Sequence, residues 1–219
     1  QMNGKELSVI TSEKDIGVYI NKDLKPSKQC AEAVRRANNI LGQITRSFHY
    51  RDRHTFIKLY KQFVRVHLEF AVPVWCPWSV ADIQLLESVQ IRAVRMVSGL
   101  SGLTYEEKLR ELDMFSLAAR RVRFDMLETF KIMKVFSAVD YNTWFTTTES
   151  QGIRVTRHSQ HSLNLQRSVC RTDVRRNFFS NRVPAAWNSL PDDVKDSKSV
   201  AEFKVRYDKY IRRDPHPLS

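Results

Sequence analysis

The chain has 219 residues, 42% of them hydrophobic, which is enough for one large domain or a helical domain with a smaller second unit, and argues against wholesale disorder. No stretch approaches the roughly 20 apolar residues of a membrane span, and the start carries no signal-peptide pattern, so no membrane association is expected. With 36 Lys and Arg against 24 Asp and Glu, the net charge of +12 attracts polyanions, most commonly nucleic acid. A basic surface that only aids solubility is the alternative.

The cysteines and the first residue bear on cellular context. Cys30, Cys76 and Cys170 are odd in number and widely spaced. They indicate a reducing intracellular compartment, the nucleus and/or the cytoplasm, rather than a disulfide framework. Because the chain begins with Gln1, we expect it to be a piece of a longer protein.

The first 25 residues are predicted to form β structure. The dipeptide Asn3-Gly4 is typical of a hairpin turn, and it is followed by short apolar runs at Leu7–Thr11 and Ile16–Ile20. A small sheet element at this position is expected to complete a sheet whose other strands precede it in the longer protein.

A first helix is predicted after Pro26, with Ser27 as its N-cap. Its apolar residues are spaced by three and four and fall within about 80° of one another on a helix of 3.6 residues per turn. They are Cys30, Val34, Ala37, Leu41 and Ile44. The opposite side carries Lys28, Arg35, Asn39 and Arg46.

A second helix is predicted over Arg53–Phe70. Six residues share one arc of about 100°, and this arc is expected to face the core. They are Phe56, Leu59, Tyr60, Phe63, His67 and Phe70. Lys58, Lys61 and Arg65 form a basic stripe on the reverse face. A solvated helix face would explain one such stripe, but stripes on two consecutive helices favour a binding surface.

Further helices are expected along the chain. Pro73 and Pro77 interrupt the helical pattern, which resumes at Val80–Val97. The spacing of Thr104 and Glu107 predicts a capping box, and a long helix over Ser116–Phe136 is apolar around most of its circumference.

From Tyr141 onward the sequence becomes more polar and is typical of loops. One or two short strands are expected over Val169–Phe179, a short helix over Arg182–Ser189 and an amphipathic helix over Ser199–Ile211. The sequence therefore predicts a mainly α protein with three parts: a β segment at 1–25, a helical bundle at 26–140 and a mixed α/β C-terminal unit at 141–219.

Catalytic and metal-binding patterns are weak. Asp192-Asp193 follows Pro191 without a flanking strand pattern, so we interpret the pair as acidic first-turn residues or a solvated loop. His158, His161 and Cys170 lack a fourth zinc ligand, so they are better explained as polar loop residues. There is no nucleophile elbow and no glycine-rich phosphate loop. We expect no catalytic residues, no metal and no cofactor.

Aromatic residues allow two interpretations. Aromatic side chains can stack on unpaired bases, but those at helical spacing or beside prolines more often belong to the core, as expected of Trp75 and Trp78. The run Arg175-Arg176-Asn177 beside Phe178-Phe179 is typical of RNA contact and is a second candidate site. The surrounding arginines are the densest in the chain: Arg167, Arg171, Arg175, Arg176 and Arg182.

Several sequence blocks together resemble the C-terminal part of Jockey-type LINE (non-LTR retrotransposon) reverse transcriptases. In chain order they are Glu13–Val18 with Asp23–Lys25, IKLYKQFVRVHLEF at Ile57–Phe70 with PVWCPW at Pro73–Trp78, LESVQIRAVRMVSGL at Leu86–Leu100, FFSNRVPAAWNSLPDDV at Phe178–Val194 and SVAEFK at Ser199–Lys204. They are similar to the palm end, the thumb and the post-thumb region. The chain departs from that pattern at Val66, where proline is usual, and at Asp113-Met114, where Gly-Leu is common.

The resemblance implies a thumb bundle that grips the template–primer duplex, and a following segment that holds RNA or target DNA. Lys58, Lys61 and Arg65 would be the first phosphate contacts, Lys28, Arg35 and Arg46 the second, and Arg175 with Arg176 a further site. The expected partners are RNA or an RNA–DNA hybrid and the missing palm and fingers of the parent RNA-directed DNA polymerase. The alternative is a repurposed retroelement fragment with a protein-binding or structural role.

Overall fold

The computed structural model describes residues 10–147 and 163–213, and it is mainly α, as predicted. The chain divides into two compact units, a first unit of Gln1–Ala118 and a second unit of Ala119–Ser219. The three-part division expected from the sequence, with boundaries after residues 25 and 140, stays a prediction. None of the helices in the described ranges combines the length and apolarity needed to cross a bilayer.

A two-stranded antiparallel hairpin opens the described chain. β1 (Ser12–Asp15) pairs with β2 (Val18–Asn21), and Ile16 and Gly17 form the turn with φ values of 44° and 88°. Positive φ at both central residues gives the turn a twist that matches the strands. The strand predicted over Ile16–Ile20 is therefore wrong at its first two residues. The predicted turn at Asn3-Gly4 lies outside the described residues.

Helix α1 (Ser27–Ser47) confirms its predicted apolar face. Its buried residues include all five that the spacing selected: Cys30, Val34, Ala37, Leu41 and Ile44. The predicted capping role of Ser27 is wrong. Ser27 is the first helical residue, and its hydroxyl donates to Asp82 Oδ2 at 2.8 Å, because the Asp82 carboxylate is a stronger, charged acceptor.

The second predicted helix is interrupted by a π-helical turn. It consists of α2 (Arg53–Leu59), the π turn (Tyr60–Val64) and α3 (Arg65–Glu69), and Asp52 Oδ1 caps it by accepting from the Thr55 amide at 2.9 Å. Its buried residues are Phe56, Ile57, Tyr60, Val64 and Leu68, and four of them, Phe56, Tyr60, Val64 and Leu68, are spaced by four positions. A π turn holds an extra residue and so shifts every later side chain around the axis.

That shift makes the predicted core face wrong beyond Tyr60. Phe63 and Phe70, which a regular 3.6-residue period places in the core, are 51% and 52% exposed. The Phe70 ring instead lies against the hairpin turn, where a Cβ on Gly17 would come within 3.1 Å of it. Both the positive φ and the close approach favour glycine at position 17.

The rest of the first unit comprises α4 (Val72–Trp75), α5 (Val80–Arg95) and α6 (Tyr105–Glu111). The capping box of Thr104 and Glu107 is confirmed at the start of α6. One hydrophobic core runs through the hairpin and these helices, and Trp75 lies in it, as expected.

A buried polar network ties the π turn, α5 and α6 together around Gln90. Tyr60 Oη donates to Gln90 Oε1 at 2.9 Å, and Gln90 Nε2 donates to Tyr105 Oη at 2.9 Å. Tyr105 in turn donates to the Glu87 carboxylate, and burial with this neighbouring charge raises the pKa of the Tyr105 phenol. Because these side chains hydrogen-bond to one another, the network holds Tyr60 of the π turn against α5.

The second unit holds α7 (Leu117–Met133), which begins two residues before the unit boundary, α8 (Asp173–Arg176), α9 (Phe179–Asn188), α10 (Asp192–Lys195) and α11 (Val200–Arg213). A 3₁₀ turn covers Tyr141–Thr143. The short strands expected over Val169–Phe179 are wrong: that segment holds no strand and contains α8, because Thr172 Oγ accepts from the Arg175 amide and starts a helical turn.

Stacked aromatic side chains form the core of this unit. The Phe203 ring lies 4.4 Å from the Phe130 centroid and 6.2 Å from that of Trp187. Asn188 holds the segment before α8 in place, since its side-chain amide accepts from the Leu165 amide and donates to the Leu165 carbonyl, both at 2.8 Å.

Candidate nucleic-acid interface

The basic residues of α2 and α3 differ in exposure. Lys58 is exposed, whereas Lys61 is half-buried and the Arg65 side chain is only 15% exposed. Arg65 Nε lies 3.6 Å from Glu69 Oε2, one helical turn away. The π turn rotates the residues that follow it, so the three cations do not form the uniform outer stripe that a regular helix would give. Lys58 is the member of this set best placed to meet a phosphate.

The three basic residues predicted on α1 are all exposed. The Lys28 amine lies 5.1 Å from the Tyr19 ring centroid and donates to Ser12 Oγ. Arg35 pairs with Glu32 at 2.8 Å, and this bond lowers the pKa of Glu32 and raises that of Arg35. Arg46 lies in the last turn of α1, where a cation complements the helix dipole.

Arg175 and Arg176 are exposed on α8. Arg176 pairs with Asp173 at 2.7 Å, while the Arg175 guanidinium lies 5.4 Å from the Phe178 ring centroid. Arg182, which belongs to the same dense arginine region, donates from Nε and Nη2 to the two oxygens of Asp125. Arg182 is therefore a structural residue, and the exposed arginines of this region are Arg167, Arg171, Arg175 and Arg176.

The structure separates the aromatic residues into two groups. Trp187 and Phe179 are buried in the second unit, so their rings cannot stack on bases. Phe178 is 42% exposed and lies parallel to Trp144, with an interplanar angle of 8° and a centroid separation of 5.9 Å. Trp78 is half-buried. The accessible aromatic surface next to the arginines thus consists of Phe178 and Trp144.

Phe178 and Arg175 line a cleft of about 390 Å³ in the second unit. Other parts of its wall come from the 3₁₀ turn with Trp144, from Gln166 and from Asn181 of α9. Sequence reasoning selected the Arg175–Phe178 side of this cleft but missed Trp144 and Asn181. A tryptophan in an otherwise polar stretch was a local signal for Trp144, whereas nothing local marked Asn181.

Positive charge is concentrated in the second unit. Residues 119–219 contain 19 Lys and Arg against 11 Asp and Glu, which is +8 of the total of +12. Helix α11 adds exposed cations on the side opposite its buried Phe203, Tyr207 and Ile211. Both the arginine region and the last helix therefore expose positive charge on this unit.

The Asp192-Asp193 pair and the cysteine and histidines considered as zinc ligands lie in different parts of the chain. Asp192 and Asp193 are exposed in the first turn of α10. Across residues 10–147 and 163–213, no group of three or more His, Cys, Asp or Glu side chains is arranged to hold a metal ion. His158 and His161 lie outside these ranges, and the Cys170 thiol donates to the Ser168 carbonyl at 3.4 Å.

Comparison of the chain with models of known protein families, with curated proteins and with solved structures finds no match.

Proposed function

We propose that this chain is the non-catalytic, nucleic-acid-binding part of a Jockey-like LINE reverse transcriptase, and that it holds template–primer or element RNA through exposed basic side chains. The parent protein would supply the palm and fingers, and it would act in the nucleus and/or the cytoplasm. The chain alone would not polymerise, because the sequence offers no residues that match the family's metal-binding aspartates.

The observation that carries the proposal is the exposure of the cations. Six of the eight predicted contact residues are exposed in a chain of net charge +12: Lys28, Arg35, Arg46, Lys58, Arg175 and Arg176. Arg35, Arg65 and Arg176 each pair with a nearby carboxylate, and Lys61 is half-buried, so we rank the exposed Arg46, Lys58 and Arg175 higher as candidates for phosphate contact.

Binding of this kind is sequence-tolerant. Lys and Arg that contact phosphates release condensed counterions, so affinity falls steeply with salt, by a slope of about 0.7–0.9 per neutralised phosphate on a double-logarithmic plot. The buried network around Gln90 anchors Tyr60, which lies two residues after Lys58 in the chain.

The test is binding of a labelled RNA–DNA hybrid across a salt series. One variant combines Arg46→Gln, Lys58→Gln and Arg175→Gln. The control variant combines Lys22→Gln, Lys25→Gln and Lys198→Gln, three lysines that are exposed and do not belong to the proposed contact set. Both variants lose the same charge. We expect the first variant to lower the salt slope by about two units, at about 0.7–0.9 for each phosphate that is no longer neutralised, and the second to leave the slope nearly unchanged.

Two results would contradict the proposal. Equal losses in both variants, with heparin competing as well as the hybrid, would mean a generic attraction for polyanions. No binding at low salt by folded protein would favour the alternative of a repurposed fragment that binds proteins.

A further inference from the structure

The cleft of the second unit has the dimensions of a small-ligand site. Its volume of about 390 Å³ falls in the range of roughly 300–1,000 Å³ that is usual for such pockets. It combines three aromatic side chains, one guanidinium and several side-chain amides and hydroxyls. Flat aromatic surface beside a cation and amides is the combination that proteins use to hold single-stranded bases.

The aromatic pair offers a stacking surface. The rings of Trp144 and Phe178 are parallel within 8°, and Phe178 stays 42% exposed although its neighbour Phe179 is buried at 5%. Trp144 also meets Phe179 edge-on, with centroids 6.0 Å apart. Because Phe179 belongs to the core, it holds the indole in place, and the indole in turn supports the exposed Phe178 ring.

Polar groups lie beside this surface. The Arg175 guanidinium lies 5.4 Å from the Phe178 centroid, where it can meet a phosphate while contacting the ring. Asn181 Nδ2 donates to the Arg175 carbonyl at 2.8 Å, which fixes the amide and leaves its Oδ1 as an acceptor for a base edge. Arg167 and Arg171, both exposed, precede α8 and add positive charge to the same region.

We propose that this cleft receives one unpaired base of an RNA strand. The base stacks on Phe178, its phosphate meets Arg175, and Asn181 accepts from its edge. The inference rests on the proposed function and deepens it, since a base inside a duplex cannot enter such a cleft. The chain would therefore distinguish single-stranded or looped RNA from a continuous hybrid, which phosphate contacts alone cannot do.

The experiment compares two labelled oligomers of equal length and charge, a single-stranded oligouridylate and an abasic ribose-phosphate chain, at one low salt concentration. The full chain is used, together with Phe178→Leu and, as the matched control, Phe136→Leu. Phe136 is 51% exposed in the same unit and does not line the cleft. We expect the normal chain to prefer the oligouridylate by roughly tenfold, the loss typical of one base–aromatic stack. Phe178→Leu should remove this preference, and Phe136→Leu should keep it.

A second measurement does not depend on how well Phe178→Leu folds. Trp144 lies in the cleft, Trp75 and Trp187 are buried, and the half-buried Trp78 does not line the cleft, so uridylate binding should quench the fluorescence of the Trp144 indole. Trp144→Phe keeps an aromatic ring at this position and should abolish most of the quenching. Quenching that persists in Trp144→Phe would mean that the base binds elsewhere and would overturn the inference.

The binding results also distinguish a failure of the cleft proposal from a failure of the proposed function. Equal affinity of the normal chain for the uridylate and the abasic oligomer would refute the cleft while leaving phosphate binding intact. Failure to bind either oligomer at low salt would refute both the proposed function and the cleft.

Discussion

Arg182 donates from Nε and from Nη2 to the two carboxylate oxygens of Asp125, each at 2.8 Å, and so joins α7 to α9 across 57 positions of the chain. Arg182 Nη1 also donates to the Asn177 carbonyl at 3.0 Å, and its guanidinium lies 5.6 Å from the Phe179 ring centroid. The Asp125 side chain is 7% exposed. The pair therefore anchors the residues that position Phe178 and the cleft.

Removing one partner of this pair should cost stability. Asp125→Ala leaves the Arg182 charge buried without its carboxylate, so we expect the free energy of unfolding to fall by about 3–5 kcal/mol in urea titrations. Asp173→Ala breaks the exposed ion pair with Arg176 and should cost less than about 1 kcal/mol. Similar losses in the two variants would show that the Asp125 pair is not buried in solution.

The π turn predicts which residues of the α2–α3 segment belong to the core. Leu68 is 1% exposed, so Leu68→Ala should lower the free energy of unfolding by about 2–5 kcal/mol. Phe63 is half-exposed, so Phe63→Ala should change the free energy of unfolding by about 1 kcal/mol at most. The reverse order in chemical denaturation would indicate a regular α-helix without the extra residue.

A glycine at position 135 should stabilise the chain. Val135 ends α7 with φ of 57°, and the Phe136 amide donates to the Lys131 carbonyl in the manner of a Schellman cap. A β-branched residue is strained there, so Val135→Gly should raise the free energy of unfolding by about 1 kcal/mol. Val205→Gly, at an exposed helical position of α11, should lower it by about 0.5 kcal/mol. Destabilisation by Val135→Gly would refute the left-handed cap.

Asp113 occupies the equivalent position after α6. Its φ is 49°, and the Met114 amide donates to the Leu109 carbonyl at 2.9 Å. This is the left-handed position after a helix that glycine usually occupies. Asp113→Gly should raise the melting temperature by a few degrees in calorimetry, since aspartate tolerates the left-handed region better than valine does.

Lys195 should make stability depend on pH. Its amine is 2% exposed and donates to Asn164 Oδ1 at 3.0 Å and to the Asn188 carbonyl at 3.1 Å. Burial lowers the pKa of this amine below its ordinary value of 10.5, although Asp192 and Asp196 oppose the shift. Between the folded and unfolded pKa values the unfolded chain binds more protons, so the Lys195 contribution to stability rises with pH.

The measurement compares the normal chain with Lys195→Met in urea at several pH values up to 10.5. The free energy of unfolding of the normal chain, taken relative to Lys195→Met, should increase as the pH rises toward that value. The same change at exposed Lys198 provides the control for alkaline conditions. A difference that is constant with pH would contradict burial of the amine.

The sequence alone was sufficient where neighbours in the chain decide the structure. The buried face of α1, the capping box at Thr104 and the positions of α5, α9 and α11 follow from spacings of three and four residues, because these spacings bring side chains together on one helix face. The basic composition likewise follows from counting charges.

The tertiary structure decided what depends on partners far along the chain. The extra residue of the π turn exposes Phe63 and buries Leu68, and no local sequence pattern predicted this turn. Ser27 donates a hydrogen bond to Asp82 instead of capping its own helix, and Arg182 forms an ion pair with Asp125. The Trp144 ring stacks on Phe178, which lies 34 positions later in the chain. Each of these contacts is selected by packing in three dimensions, because desolvated charges and aromatic faces bind whichever partner the fold brings near them.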